Sequence, residues 1–423
     1  MSVAEQGARG GGAREALRSP DFRRLWLADG ISQVGDGLTW LALILTINRL
    51  TGSTAMIASL SVVLSLPQLG LGLFAGVIAD RWDRRRTMIL SDLARGVLVL
   101  GFLLIRDADD LWLLYLLGLL QATAGVFFSP ARSALTPRTV EPDALLGANS
   151  LMQTTQIISG LIGTALAGVL ISLARNGWPA FVLDSASFFF SAACIAGVRV
   201  PGMPERSPGT SHGMLGELRR ELWEGLQLIA RTRALLAILM AFAVACLGMG
   251  AVSVLFVPFL VNTLHVPATT VALAKGAQIG GLLLGGAWAA RRAAARSSSL
   301  LIGGGLAGIG VATVLLGWAP NLGLVLASLF LLGVCATPMQ SATNALLQQR
   351  TPNVLLGRVE GAVDTLLTAA MMGSMAGAGV LAERIGIRGV FSVAGLLCLA
   401  GGLLGWAMLA RAAPVAENPI QEV

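Results

Sequence analysis

Long apolar runs separated by short polar loops form the dominant pattern of this sequence. Because about 20 apolar residues in a helix cross the hydrocarbon core of a bilayer, twelve runs predict transmembrane helices. Six lie in the first half, at 25–47, 54–78, 87–105, 111–129, 145–173 and 178–199. The other six lie at 234–262, 268–290, 299–318, 321–341, 357–381 and 389–410. The pattern predicts an all-α polytopic membrane protein with 12 transmembrane helices.

Polar segments divide the chain into two halves and three connecting parts. The predicted parts are a tail at 1–24, a half at 25–200, a linker at 201–233, a half at 234–411 and a tail at 412–423. The linker starts with Pro- and Gly-rich sequence and then becomes amphipathic. Its apolar residues recur at helical spacing, which predicts a helix on the inner membrane surface or, alternatively, one that binds a partner. These residues are Leu215, Leu218, Leu222, Leu226 and Ile229.

An internal repeat relates the two halves. The segment 125–134, with Gly125 and Pro130, resembles 333–342, with Gly333 and Pro338. Repeats of this kind predict two pseudo-symmetric six-helix halves, with substrate handled near the midplane of the membrane.

Composition excludes a soluble globule, since 55% of the residues are hydrophobic, 13% are charged and the mean hydropathy is +0.75. The net charge of +7 is typical of nucleic-acid binders as well, but here it follows membrane topology. Of 30 basic residues, 23 lie in the tails and loops of one side, which predicts that this side and both termini are cytoplasmic. The opposite side has five: Arg49, Arg106, Arg175, Arg384 and Arg388.

The sequence contains no recognisable catalytic, metal-binding or cofactor motif. Its four cysteines lie inside apolar runs without paired spacing, and His212 and His265 lie in predicted loops. Neither an enzyme nor a bound metal or cofactor is expected. The N-terminal tail has no apolar segment and therefore does not resemble a cleaved signal.

The first apolar run carries a polar stripe. Asp29, Gln33, Asp36 and Trp40 follow i, i+4, i+7 and i+11 spacing and share one helical face. An ionised carboxylate at the depth of Asp36 costs about 2.5 to 3.5 kcal/mol on insertion scales, so a proton or a partner is expected there. Asp36 is therefore predicted to bind a proton, and the alternative is a structural, hydrogen-bonded carboxylate.

Other polar residues lie inside later runs. Asp92 and Arg95 have the i, i+3 spacing that favours an intrahelical, structural ion pair. In the second half, Asp364 lies deeper than Glu360 in the eleventh run and is a second proton-coupling candidate. The predicted substrate cavity is lined by Asp36 and neutral hydrogen-bonding or aromatic groups, for which adhesion between helices is the alternative. These groups are Gln33, Trp40, Gln121, Gln153 and Gln156.

The charged loop at 76–86 carries the most specific motif. With Gly76, Asp80 and Arg81 followed by Arg84, Arg85 and Arg86, it resembles the loop signature of the major facilitator superfamily. Further stretches at 22–26, 35–36, 130–132 and 357–359 resemble its macrolide-efflux and enterobactin-exporter branch. The fifth run resembles the antiporter motif of drug exporters, except that Thr164 replaces the usual proline and the fourth helix lacks the buried arginine.

This resemblance implies a bacterial inner-membrane exporter with alternating access. It implies that the proton gradient drives the export of amphiphilic drugs, macrolides or siderophores. The loop at 76–86 and Arg358 would then form a cytoplasmic latch. The expected partners are small amphiphilic substrates, protons and the lipid bilayer. Binding to nucleic acid is not expected, and the protein is expected to be a monomer.

Three alternatives remain open at this point. A lipid or lysolipid flippase can have the same fold. A solute importer can have it too, because the motifs do not encode the direction of transport. A nontransporting membrane receptor or scaffold belongs to a different class and would tolerate the loss of Asp36.

Overall fold

The computed structural model describes residues 11–174, 177–200, 214–292, 297–352 and 355–411. Within these ranges the chain is helical apart from short connections and contains no strand, which confirms the all-α prediction. The helices before the linker are α1 (Gly11–Ala16), α2 (Pro20–Thr51), α3 (Thr54–Arg81), α4 (Arg84–Gly101), α5 (Leu111–Thr139), α6 (Leu145–Leu173) and α7 (Trp178–Ala196). Those that follow are α8 (Met214–Arg231), α9 (Arg233–Pro258), α10 (Thr270–Arg292), α11 (Ser298–Gly317), α12 (Leu322–Arg350) and α13 (Leu356–Arg411).

Ten of the described helices are long and apolar enough to cross a membrane. Helix α13 counts once among them, although Gly386 (φ 74°, ψ 161°) interrupts its 56 residues between two predicted runs. Helix α10 is not among the ten, and the polar residues Lys275 and Gln278 interrupt its apolar sequence. The count of twelve spans therefore stays a prediction.

The chain forms two compact units. The first comprises residues 1–209 and 267–272, and the second comprises residues 210–266 and 273–423. In the first unit α2 packs against both α6 and α7, while α4 packs against α5 and α7. Of the polar stripe of α2, Asp36 meets Arg95 of α4 and Asp29 meets Arg132 of α5.

The core of the second unit is formed by α9, α11, α12 and α13, and the C-terminal part of α8 packs against it. Its buried polar side chains among the described residues are all neutral. In contrast, the buried acidic side chains of the described residues, Asp29, Asp92 and Asp184, all belong to the first unit.

Local sequence signals explain where α2 begins and ends. The Ser19 hydroxyl accepts a hydrogen bond from the backbone N–H of Phe22 at 3.2 Å, and Pro20 fits the first turn, where its missing N–H needs no partner. Gly52 ends the helix in the left-handed conformation.

The sequence repeat coincides with matching helices. Pro130 and Pro338 each lie inside a helix of 29 residues, α5 and α12. The two halves also share a Leu-Leu-Gly segment, at 145–147 and at 355–357, and these segments lie at the starts of α6 and α13.

A face of small residues on α6 packs against α2. Ser159, Gly163 and Ala167 are buried, as expected of residues that let helices approach closely. A side chain at Gly163 would place its Cβ 2.0 Å from the carbonyl oxygen of Val34. Only glycine fits this contact without moving one of the two helices.

Candidate functional site

Asp36 of α2 forms an ion pair with Arg95 of α4. The Arg95 guanidinium donates a hydrogen bond from Nη2 to Oδ1 of Asp36. The Asp36 side chain is 32% exposed, whereas that of Arg95 is only 11% exposed. The contact joins the predicted proton-binding residue to a buried cation on a neighbouring helix.

Arg95 also lies close to two other groups. Its Nη1 is 4.0 Å from Oδ1 of Asp92, so the predicted intrahelical pair exists alongside the pair with Asp36. Its guanidinium carbon lies 4.1 Å from the centre of the Phe188 ring, within cation–π range. Its Nε is buried and has no hydrogen-bond partner among the described residues. The guanidinium therefore has two acidic neighbours, and its closer contact is with Asp36.

Asp92 is fully buried between α4 and α7. Oδ2 accepts a hydrogen bond from the hydroxyl of Ser191 at 2.5 Å. Oδ1, which faces Arg95 at 4.0 Å, is buried without a hydrogen-bond partner among the described residues. This oxygen is a ready acceptor for the guanidinium.

Asp184 of α7 is a third acidic residue in this region, and the sequence analysis missed it. Its side chain is fully buried and accepts hydrogen bonds from the hydroxyls of Thr39 at 2.5 Å and Ser187 at 3.3 Å. A Cβ at Gly35 would lie 2.1 Å from Oδ1 of Asp184, so α2 needs glycine here to admit the carboxylate. The available signal was the i, i+3, i+7 spacing of Asp184, Ser187 and Ser191, a polar stripe within an apolar run.

We call Asp36, Asp92, Arg95 and Asp184 the charge cluster. It brings together three carboxylic acids and one guanidinium from α2, α4 and α7. The fourth run, at 111–129, contains no arginine, whereas Arg95 of the third run supplies a buried guanidinium. Within the described ranges, no group of three His, Cys, Asp or Glu side chains could hold a metal ion.

A second ion pair lies about two helical turns before Asp36 on α2. Oδ1 of Asp29 accepts a hydrogen bond from Nη1 of Arg132 on α5 at 2.7 Å. Both side chains are largely buried, and the pair is balanced in charge. It ties α2 to α5, which suits a structural contact.

The remaining residues predicted for coupling or for the cavity lie in different environments. Gln121 is buried, Gln33, Trp40 and Gln156 are half-buried, and Gln153 is exposed. Asp364 is exposed on α13 and lies outside the charge cluster. The role of this set in a substrate cavity stays a prediction.

The loop predicted to act as a latch is partly described. The side chains of 76–81, including Asp80 and Arg81, lie outside the described part. Arg85 donates hydrogen bonds to the carbonyls of Ile195, at 3.1 Å, and Ala196. It thereby binds two carbonyls at the C-terminus of α7, where cations are favoured.

Asp83 precedes α4 and caps it. Oδ1 accepts a hydrogen bond from the backbone N–H of Arg86 at 3.0 Å. The Arg86 side chain itself is 83% exposed and weakly paired with Asp83, at 3.9 Å. Asp83 therefore fixes the turn between α3 and α4, whereas the Arg86 guanidinium is open to solvent.

The predicted linker helix, α8, docks on the start of α13. Glu224 accepts hydrogen bonds from Arg220, at 2.8 Å, and from Arg358. Ile229 is buried, and a Cβ at Gly225 would lie 2.5 Å from the carbonyl oxygen of Arg358. Arg358, predicted as part of the latch, is therefore paired with the linker helix. The side chains of Leu215, Leu218 and Leu222 lie outside the described part.

We expect Glu224→Gln to weaken the docking of α8. The hydrogen bond from Arg220, with the charge of Arg358, holds the pKa of Glu224 below its usual value. The ionised form stabilises docking, so this contribution is present above the unfolded pKa and is lost as pH falls through the folded pKa. Hydrogen exchange of α8 should be faster in Glu224→Gln and unchanged in the control Glu360→Gln. Equal exchange in Glu224→Gln and the original protein would show that the pair contributes nothing.

Comparison with known protein families assigns the chain to one of them. Its sequence matches the profile of the Major Facilitator Superfamily over residues 25–368 and 272–423. The chain belongs to the major facilitator superfamily. This confirms the family expected from the loop at 76–86 and makes the chain a multi-pass membrane transporter by family.

Several curated relatives are exporters. The chain is 25% identical to macrolide efflux protein A of Streptococcus pyogenes, over 90% of this chain and 94% of that protein. It is 28% identical to the enterobactin exporter EntS of Citrobacter koseri, over 81% and 80% of the two chains. It is 24% identical to the multidrug efflux pump Tap of Mycobacterium bovis, over 92% and 94%.

Solved structures support the same fold. A bacterial homologue of the human lysosomal transporter Spinster matches with a TM-score of 0.74 and 14% identity, covering 93% of this chain and 97% of that one. The nucleoside transporter NupG matches with a TM-score of 0.71 and 12% identity, covering 92% and 99%. At these identities the likeness concerns the fold alone.

Proposed function

We propose that this protein exports small amphiphilic molecules across the bacterial inner membrane, driven by a proton gradient. Relatives named for the efflux of macrolides, enterobactin and multiple drugs support export and an amphiphilic substrate. The observation that supports the proton coupling is the charge cluster, which contains three carboxylic acids and one guanidinium, with Arg95 paired to Asp36 and Asp92 and with Asp184 hydrogen-bonded to Thr39.

The charge balance of the cluster favours a bound proton. If all three carboxylic acids were ionised, two negative charges would remain uncompensated inside the membrane. Each charged side chain at this depth costs about 2.5 to 3.5 kcal/mol on insertion scales, and repulsion between like charges adds to the cost. Protonation of at least one carboxylate removes part of this penalty.

Asp36 is the carboxylate that we assign to proton exchange. It is 32% exposed, whereas the side chains of Asp92 and Asp184 are fully buried. A proton must reach its site from an aqueous cavity during transport, and only the partly exposed carboxylate meets that requirement in this conformation. Asp92 and Asp184 are then the groups that set the field around Arg95.

Arg95 supplies a way to convert protonation into a structural change. A proton on Asp36 neutralises the closer partner of the guanidinium. Asp92 then becomes the stronger acceptor, with an Oδ1 that has no hydrogen-bond partner among the described residues and lies 4.0 Å away. A shift of Arg95 towards Asp92 would weaken the ion pair that joins α2 to α4. The protein would then have two conformations, and protonation of Asp36 would change their relative populations.

A cellular screen tests export and its energy source together. Expression in an efflux-deficient bacterium should lower the accumulation of at least one macrolide or other amphiphilic drug and raise resistance to it. A proton uncoupler should restore accumulation. Unchanged accumulation of amphiphiles together with transbilayer movement of labelled lipid would favour a flippase instead.

The proposed orientation places both termini and the loop at 76–86 in the cytoplasm. A cysteine replacing the exposed Arg86, in a background without the native cysteines, should react with an impermeant thiol reagent only after permeabilisation. A cysteine replacing Ala108, which is exposed near the opposite end of α4, should react in intact cells. The reverse pattern would invert the proposed topology.

A further inference from the structure

A pocket of about 420 Å³ lies at one end of the first unit, where α2 and α4 end and α7 begins. The start of α4 follows the arginine loop, so the pocket is at the opposite end of that helix. Under the proposed topology it faces the outer leaflet. Its lining combines the cations Arg49 and Arg106 with aromatic and aliphatic side chains, including Phe102, Trp178 and Phe181.

The two arginines make this pocket unusual for its side of the membrane. They are two of the five basic residues predicted on that side, where topology disfavours positive charge. Asp110 accepts hydrogen bonds from the backbone N–H groups of Arg106, at 2.9 Å, and Asp107, at 3.3 Å. Arg106 is exposed, and it is its backbone N–H that donates the hydrogen bond to Asp110.

The rest of the pocket is suited to an apolar group at the membrane surface. The rings of Phe102 and Phe181 lie 5.3 Å apart, and both side chains are buried. Trp178 is 54% exposed and is the first residue of a membrane-spanning helix, the level at which Trp meets lipid headgroups. The pocket therefore offers positive charge and apolar surface together.

We propose that this pocket binds the headgroup of an anionic glycerophospholipid from the outer leaflet. A guanidinium presents a planar set of donors that matches phosphate oxygens, so Arg49 and Arg106 would hold the phosphate. The glycerol and upper acyl carbons would lie along the aromatic side chains. The occupant is a lipid rather than free phosphate because much of the lining is apolar and lies at the headgroup level. Bound lipid would hold the ends of α2, α4 and α7, the helices that carry the charge cluster.

Lipid binding to the purified full-length protein tests this without any transport assay. Native mass spectrometry would count bound phosphatidylglycerol, phosphatidylcholine and inorganic phosphate in titrations. We expect the original protein to prefer phosphatidylglycerol. The double variant Arg49→Gln/Arg106→Gln should lose affinity for this lipid by about tenfold or more, because it loses one or more charge-assisted hydrogen bonds. Arg106→Gln alone, at an exposed position, should show a smaller loss in the same direction.

The matched control is Arg384→Gln/Arg388→Gln, which removes the same charge on the same predicted side but outside the pocket. It should bind phosphatidylglycerol as the original protein does. Equal binding by the original protein and the pocket variants would overturn the proposal, as would equal loss in the control. Displacement of the lipid by inorganic phosphate at comparable concentration would assign the pocket to free anions and overturn its assignment to lipid.

Discussion

Replacing Asp36 with Asn should abolish uphill export driven by a pH gradient while leaving substrate binding intact. Asn resembles the protonated carboxylic acid but cannot release a proton, so the cluster would stay in one protonation state through the cycle. Downhill movement of substrate needs no proton exchange and should persist. The measurement is substrate flux in proteoliposomes at fixed membrane potential, with and without an imposed pH step. Asp36→Glu should retain part of the uphill flux.

The control for this experiment is Asp364→Asn. It makes the same chemical change on an exposed carboxylate outside the charge cluster, and uphill flux should be preserved. If Asp36→Asn still concentrates substrate in response to the pH step, Asp36 is not the sole coupling site. If Asp364→Asn abolishes the response as well, coupling also requires the second unit.

Replacing Arg95 with Gln should sharply reduce the amount of folded protein in the membrane. The substitution leaves three carboxylic acids without their cation, and removal of one partner from a buried ion pair costs about 3 to 5 kcal/mol. That is a large part of the total stability of a typical domain. Size-exclusion chromatography of a fluorescent fusion in detergent, together with thermal unfolding of the purified protein, would measure the loss.

A double substitution separates charge imbalance from lost packing. Asp36→Asn/Arg95→Gln removes the positive and the negative member of the closer pair, so it should recover much of the folded protein lost in Arg95→Gln. The recovered variant should remain unable to use a pH gradient. If Arg95→Gln alone is as stable as the original protein, the cluster does not need its cation for folding.

The residues of the charge cluster differ in how well the sequence alone predicts their role. Asp36 could be found because a carboxylate within an apolar run stands out and shares a stripe with other polar side chains. The pair between Asp36 and Arg95 could not be found, because 59 residues separate the two. The i, i+3 spacing within the helix instead predicted that Arg95 pairs with Asp92. The burial of Asp184 depends on Thr39 and Gly35 of another helix. Nothing in the sequence around these two residues indicates that they contact Asp184.

Helix boundaries follow a similar logic. The predicted spans ended where apolar sequence ended, whereas α5 continues ten residues beyond its run, to Thr139. Hydropathy reports the part of a helix suited to lipid, and backbone hydrogen bonding extends the helix past it. The pair between Glu224 and Arg358 joins residues 134 positions apart, which amphipathic periodicity alone does not reveal.

Proton movement caused by substrate is the most direct test of the central claim. Purified protein would be reconstituted with a pH-sensitive dye inside the vesicles, and a macrolide gradient would be imposed with no initial pH gradient and the membrane potential clamped. Proton-coupled exchange predicts that macrolide flux drives protons in the opposite direction in the original protein, and that Asp36→Asn gives no such proton flux. Macrolide flux through the original protein with no accompanying change in internal pH would contradict the account.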